Sequence, residues 1–495
     1  GRIAWSDVAP LVPLFGLGAG MGALTVWMEK HHVGAVGDVY DLTSVERLLI
    51  AGRALWFYAG KLVWPYPQAF FYPRWRIDPR AWWQYLFPAS AVVVPIALWL
   101  ARGRIGRGPL AAVLIFGGVL FPAIGFLNVY PFRFSFVADH FQYHAGVALI
   151  ALAAALITQA IARASANRKE LTIAASILPI GALGLLTLLR TTVFYDSETL
   201  FRDTIAKNPD SWAAYENLEG ALDSQGRLAD SLQVARDALA RAQLTARADD
   251  PTTTGSLAMA HNNLGACLLK QGNAEGFRLG QIEEVMFELR EALRLDPKLT
   301  KTYCNLASVL LGSDRPAEAL KEANLALAIS PRDADPWYVK GMALDALGKP
   351  TEAEACFEKA IELNPDFAQA HTKLALLLLK QQRPDEATSH LESALRLDSG
   401  IADAHYALAG ILANRGDFLR AAQHFAATAE LRPGDANALN YLGVALVNLG
   451  QTDKAIQAFE EALRRSPTHA EAKANLKQAL EIKRSEPVAP PPSRQ

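Results

Sequence analysis

Between positions 297 and 467 one residue type returns every 34 residues. Pro297, Pro331 and Pro365 are followed by Ser399, the single miss, and then by Pro433 and Pro467. Five residues before each stands a small side chain: Ala292, Ala326, Ala360, Ala394, Thr428 and Ala462. Twelve residues before stands another short one: Val285, Ala319, Ala353, Ala387, Ala421 and Ala455. Bulkier residues fall between, as at Leu289, Phe357, Leu391, Phe425 and Phe459. Each next unit opens on Leu306, Leu374, Leu408 or Leu442, with Ala307, Gly341, Ala375, Ala409 or Gly443 one place after the opening position. The small residues let two antiparallel helices approach, the larger ones fill the gap to the next pair, and a proline that cannot continue a helix turns the corner. An ordinary amphipathic bundle would not hold one register across five consecutive periods.

A 34-residue period with these spacings is the signature of the tetratricopeptide repeat. The expected layout is a superhelix of about seven repeats over 196–484. A divergent first repeat covers 208–240, with Tyr215, Leu218, Gly226, Ala235 and Ala238 in place after Pro209. A polar loop is expected at 242–256. A second repeat over 258–297 has Leu264 and Gly265 in register and eight extra residues around 272–280. Five regular repeats follow, then a lone capping helix at 470–484 and a disordered, proline-rich tail over 485–495. Asn217, Asn263, Asn305 and Asn475 each sit just before the signature leucine, where amides on a concave groove could hold the backbone of an extended peptide. The same residue also serves to satisfy a neighbouring turn, and Val339, Lys373, Ala407 and Tyr441 interrupt the ladder.

The front of the chain has a different grain. Five windows, 8–28, 86–100, 109–127, 141–162 and 171–189, carry no Asp, Glu, Lys or Arg. Each approaches the ~20 residues that cross ~30 Å of hydrocarbon. The expected class is all-α, a multi-span helical membrane domain over 1–195 followed by the repeat solenoid. Basic loops at 102–107 and 163–169, with Arg2, place one side in the cytoplasm and send the repeats to the other, periplasmic or extracytoplasmic, side of an inner membrane. The segment 47–64 is apolar but holds Arg47, Arg53 and Lys61, so it reads as an amphipathic interfacial helix, with a spanning helix as the alternative.

Three outer loops then matter. Residues 29–46 carry His31, His32, Asp38 and Asp41; 65–85 set Arg74, Arg76 and Arg80 among aromatics; 128–140 hold Arg133, Asp139 and His140. Arginine forks among aromatics suit a lipid-linked phosphate. They equally suit an aromatic belt whose arginines snorkel to headgroups, the simpler reading. His140 and His144 share a helical face, yet no glutamate of an HExxH motif stands between them, so no metal site is assigned. Cys267, Cys304 and Cys356 form no CxxC or Cys/His cluster and read as packing residues. With net charge −1 and pI near 6.9, bulk charge offers nothing to nucleic acid.

The order of these features resembles the transmembrane and tetratricopeptide-repeat O-mannosyltransferase family and its bacterial relatives. The resemblance is carried by VADHFQYHAG at 137–146 and RALWFYAGKLVWP at 53–65, followed by Tyr72-Pro73. Asp139 and Tyr143 match the family's acidic–arginine–tyrosine motif; His140 replaces its arginine. The resemblance implies transfer of a sugar from a polyprenyl-phosphate donor to protein hydroxyls presented by the repeats, with a divalent metal possible. It places the catalytic acid in an outer loop upstream of Gly1, so the catalytic residues stay unknown and an N-terminal part is expected to be missing. The lipid-phosphate candidates within the chain are Arg74, Arg76, Arg133, Asp139 and His140; the peptide-groove candidates are Asn217, Asn263 and Asn305. The alternative is a non-catalytic membrane-anchored scaffold that gathers protein partners, with membrane lipid as its other contact.

Overall fold

The computed structural model describes residues 42–64, 69–121, 135–138, 143–164, 191–247, 251–278 and 280–485, with a few isolated positions besides. The expected spans at 171–189 and most of 8–28, together with Arg133, Asp139, His140 and the tail, lie outside the described residues. The chain divides into two compact units, 1–281 and 282–495.

The first unit opens with α1 (Ser44–Val63), α2 (Leu86–Ile105), α3 (Gly108–Leu120) and α4 (Tyr143–Ala164). Helix α1 starts on a capping box: the Thr43 hydroxyl accepts from the Glu46 N–H while the Glu46 carboxylate accepts from the Thr43 N–H. The segment expected to lie in the interface is helical, and its Leu49–Tyr58 face is buried in protein. Ala54 and Tyr58 pack with Tyr72, Phe116, Leu120 and Ala145. Two of its three cations lie over rings, Arg53 4.6 Å from Trp75 and Lys61 4.9 Å from Tyr72, while Arg47 donates to the Leu42 carbonyl at 3.2 Å. Gly52 lets α1 meet the start of α2, since a Cβ there would stand 2.4 Å from the Pro88 nitrogen.

Five spans were expected. Among the described residues one helix, Trp82–Ile105 at 24 residues, is long and apolar enough to cross a membrane; Gly108–Leu120 and Ala145–Gln159 are apolar but shorter. The 13 residues of α3 cover only about 20 Å. Outward-facing apolar residues remain on all three helices: Val93 is 60% exposed, Leu100 69%, Leu114 56% and Val147 62%.

The unit continues with α5 (Ser197–Lys207), α6 (Trp212–Ser224), α7 (Leu228–Thr245) and α8 (Pro251–Glu275). The polar loop expected at 242–256 shrinks to the few residues between α7 and α8. Pro251 opens α8 with a pre-set φ, and the Thr253 hydroxyl accepts from the Arg247 N–H at 3.0 Å, so threonines that look like loop chemistry act as the start of a helix. Of the extra residues expected around 272–280, those up to Glu275 extend α8, while Gly276 and Gly280, both at positive φ, lie between α8 and the next helix.

The second unit holds α9 (Gln281–Leu295), whose first residue falls in the first unit, and then five regular hairpins. They are α10 (Thr300–Gly312) with α11 (Pro316–Ile329), α12 (Ala334–Ala346) with α13 (Pro350–Leu363), α14 (Ala368–Lys380) with α15 (Pro384–Leu397), α16 (Ala402–Asn414) with α17 (Phe418–Leu431), and α18 (Ala436–Asn448) with α19 (Thr452–Arg465). The closing α20 (Ala470–Ser485) covers the last hairpin through Ala472 and Ala479. All twelve small residues of the period are sealed: Val285, Ala319, Ala353, Ala387, Ala421 and Ala455, and Ala292, Ala326, Ala360, Ala394, Thr428 and Ala462, are each 0% exposed.

The hairpin corner repeats too. Asp314, Gly348, Gln382, Gly416 and Gly450, 34 apart, all have positive φ, between 56° and 80°. The residue after each donates its N–H 2.9 Å back to the leucine carbonyl of the first helix, at Leu310, Leu344, Leu378, Leu412 and Leu446. This closure satisfies carbonyls that a helix end leaves open.

Candidate functional site

Two sites can be built from these elements, one in each unit. In the first unit the aromatic loop docks on the first repeat. Phe70 meets Phe201 edge-on at 5.9 Å, and the Asn208 amide donates to the Phe71 carbonyl at 3.2 Å. Beside this seam lies an open cavity of about 950 Å³, lined by Glu46, the stretch from Pro73 to Asp78, Phe136, and the α6–α8 residues Trp212, Tyr215, Arg241 and Asn263. Arg74 and Arg76, two of the expected phosphate candidates, both line it. Arg74 lies 4.6 Å over the Phe136 ring, and Arg76 is exposed. Arg241 is held by Asp210 at 2.7 Å, and Arg74, Arg76 and Arg247 stand against Glu46 and Asp78, so the wall carries one positive charge more than its carboxylates balance.

Next to this cavity is a buried acidic knot. Glu219 on α6 is 5% exposed, and its Oε1 has no hydrogen-bond partner among the described residues. Asp223, one turn on, pairs with Lys270 through one oxygen and leaves Oδ1 without a partner. Burial, with Glu216 and Asp223 nearby, pushes the Glu219 carboxyl up to about 8, against the opposing pull of Lys270 and a hydrogen bond from Asn263. Cys267 contacts the Ser231 hydroxyl at 3.6 Å, and burial beside Glu219 pushes its thiol up to about 12, which makes it unreactive.

In the second unit, successive first helices of the hairpins touch directly, α10 with α12, α12 with α14 and α14 with α16. They therefore line the inner side of the curve. Half-buried apolar side chains run along them: Met342, Leu376, Leu379 and Tyr406, continuing to Val444 and Val447. Tyr406 meets Tyr441 edge-on at 6.1 Å, and Tyr441 stacks on Phe425 at 5.6 Å while remaining 39% exposed.

The asparagine candidates fall in both units, and the two in the first unit are taken up locally. Asn217 donates to the Ala213 carbonyl of its own helix at 2.7 Å. Asn263 is buried, taken up by Asn262 and by Glu219. Asn305 is half-buried in the other unit. Position alone did not show that helix carbonyls and a buried acid compete for these amides.

The sequence reading also missed the histidines. The Nδ1 atoms of His371 and His390 stand 2.9 Å apart across one hairpin; those of His405 and His424 stand 2.8 Å apart across the next. The recurrence of both histidines at 34 residues was the available signal.

Comparison with known proteins bears on the repeats. A family model described as tetratricopeptide repeat matches residues 188–251, 338–400, 372–436 and 406–470. The DnaJ homolog subfamily C member 7 homolog of Schizosaccharomyces pombe is 38% identical over 113 residues, which cover 21% of this chain and 22% of that protein. The TPR repeat-containing thioredoxin TDX of Arabidopsis thaliana is 33% identical over 87 residues, covering 18% and 23% respectively. The chain thus spans about a fifth of the length of these curated relatives. Among solved structures, YrrB, described as a TPR protein with an unusual peptide-binding site, is 26% identical, with a TM-score of 0.32 over 38% of this chain and 97% of that one. The chain carries tetratricopeptide repeats, an all-α architecture suited to protein–protein interaction.

Proposed function

We propose that this protein is a membrane-anchored scaffold whose repeats hold an extended, apolar-rich peptide segment of a partner protein. The observation that carries the binding half is the half-buried strip from Met342 to Tyr441 on the inner helices of the second unit. Tyrosines that keep one edge exposed are good contact residues, because they bury a large area at low entropic cost. The membrane half is supported by the exposed apolar residues of α2, α3 and α4, which lipid would cover, and by the spanning length of one of those helices. The basic loops at 102–107 and 163–169 are what supports an extracytoplasmic side for the repeats.

The test is a selection of displayed random peptides on the full-length protein. Peptides with two or more apolar residues are expected to be enriched. Tyr406→Ala with Tyr441→Ala is expected to weaken the selected peptide about tenfold or more, in line with loss of aromatic contact residues. Enrichment of no sequence class, or binding unchanged in the double variant, contradicts the reading.

The first-unit cavity favours a second reading, the polyprenyl-phosphate sugar transferase implied by the family resemblance. Arg74 and Arg76 would hold the lipid phosphate, and the adjoining Trp212 and Tyr215 of the first repeat would bring an acceptor close. Arg74→Ala with Arg76→Ala should then abolish binding of a radiolabelled polyprenyl phosphate. Equal retention by both proteins, or by neither, removes this reading while leaving the scaffold intact.

A further inference from the structure

The two histidine pairs have a fixed internal arrangement. His371 on α14 sends its Nε2 toward the Pro365 carbonyl at 3.2 Å, and His405 on α16 sends its Nε2 toward the Ser399 carbonyl at 3.1 Å. Trp337 makes the same contact one repeat earlier, its indole N–H donating to the Pro331 carbonyl at 3.1 Å. The carbonyl can only accept, so the proton of each first histidine sits on Nε2 and its Nδ1 lone pair faces the second helix. There it meets His390 on α15 or His424 on α17. A histidine whose far nitrogen is anchored on a backbone carbonyl, with the near nitrogen free to donate electrons, is how proteins orient metal-ligating imidazoles. Two nitrogens each about 2.0 Å from a square-planar ion and at a right angle stand about 2.8 Å apart. The observed separations, 2.9 and 2.8 Å, are now bridged by an Nδ1–H···Nδ1 hydrogen bond from the second histidine, and they equal that ligand spacing.

We propose that each pair is a two-imidazole chelate for a divalent ion that prefers tetragonal nitrogen ligands, such as Ni2+ or Cu2+, giving two equivalent sites 34 residues apart. Binding needs the rings to turn until both Nδ1 lone pairs converge. His390 and His424 must move their proton from Nδ1 to Nε2, an atom with no hydrogen bond among the described residues, so no proton is lost overall. Water completes each coordination shell, because Glu386, the carboxylate nearest His390, is already clasped by Arg383 at 2.6 and 2.7 Å. Each site has an arginine–glutamate pair beside it, Arg383 with Glu386 and Arg420 with Glu392, so the two are expected to bind alike.

Titration of the full-length protein with NiCl2 at pH 7.5, with MgCl2 as control, is expected to show two bound Ni2+ per chain with micromolar affinity. His390→Gln should retain one; His390→Gln with His424→Gln should retain neither. Glutamine can still donate to the His371 and His405 Nδ1 atoms, so the hairpins should keep their helical signal. No nickel binding by the unaltered protein, or two ions still bound by the double variant, overturns the proposal. The result is independent of what the groove or the cavity binds.

Discussion

Gly341→Ala is expected to destabilise the α12–α13 hairpin by about 1–3 kcal/mol, the usual cost of overfilling a packed interior. The added Cβ would stand 2.7 Å from the Phe357 ring, which is itself 1% exposed and has nowhere to go. Phe357→Leu alone should cost about 1–2 kcal/mol by leaving a cavity. Together they should cost little more than the second alone, because the next repeat already uses that combination, Ala375 with Leu391, and seals both at 0% exposure. The last hairpin repeats the glycine solution, a Cβ on Gly443 falling 2.4 Å from Phe459. Amide hydrogen exchange within α12 and α13 of the full-length protein measures the cycle without requiring the whole chain to unfold in one step. Strictly additive losses would mean that the two positions do not form a packing unit.

Glu219→Gln should stabilise the first unit by about 3 kcal/mol at pH 7, and by about 5 kcal/mol above pH 8. The native carboxyl titrates near 8 and the unfolded one near 4.5. A group whose native pKa is raised gives up stability as pH rises: the unfolded chain ionises first, and the native state must stay protonated or bury a charge. The original protein should therefore lose stability steadily from about pH 4.5 to pH 8, and the glutamine variant should lack that slope. Exchange protection in α6 and α8, followed between pH 5 and pH 9, is the readout. A variant that melts earlier than the original at pH 7 would show that ionised Glu219 is held by favourable contacts.

The repeat lattice was readable because it is written in side-chain size at a fixed spacing. Ala360 and Phe357 could be placed in a helix interface without any knowledge of the rest of the chain. The corner was less readable: Asp314 and Gln382 take the left-handed conformation that Gly348, Gly416 and Gly450 adopt freely, and composition alone hides that equivalence. Contacts distant in sequence were the least readable. In the 47–64 segment Arg53 and Lys61 interrupt an apolar run, and the Trp75 and Tyr72 rings that lie beside them come from the following loop, a pairing that spacing does not show. Arg74 and Arg76 stand out in sequence by their chemistry and line the cavity, whereas nothing in the sequence marks the α6–α8 residues that wall it. Glu219 gave no sign of burial, since a glutamate on an amphipathic helix ordinarily faces water.

The account turns on whether the outward apolar faces of α2–α4 lie in lipid while the repeats stand in water. Cysteine labelling addresses this directly, because Cys267, Cys304 and Cys356 are all buried and will remain silent. Val93→Cys on α2 and Leu419→Cys on α17 replace residues that are 60% and 57% exposed on the protein surface. In membranes opened by freeze–thaw, a charged maleimide should label Leu419→Cys rapidly and leave Val93→Cys unmodified until detergent is added. Rapid labelling of both positions without detergent, or recovery of the protein in the wash, would contradict the account.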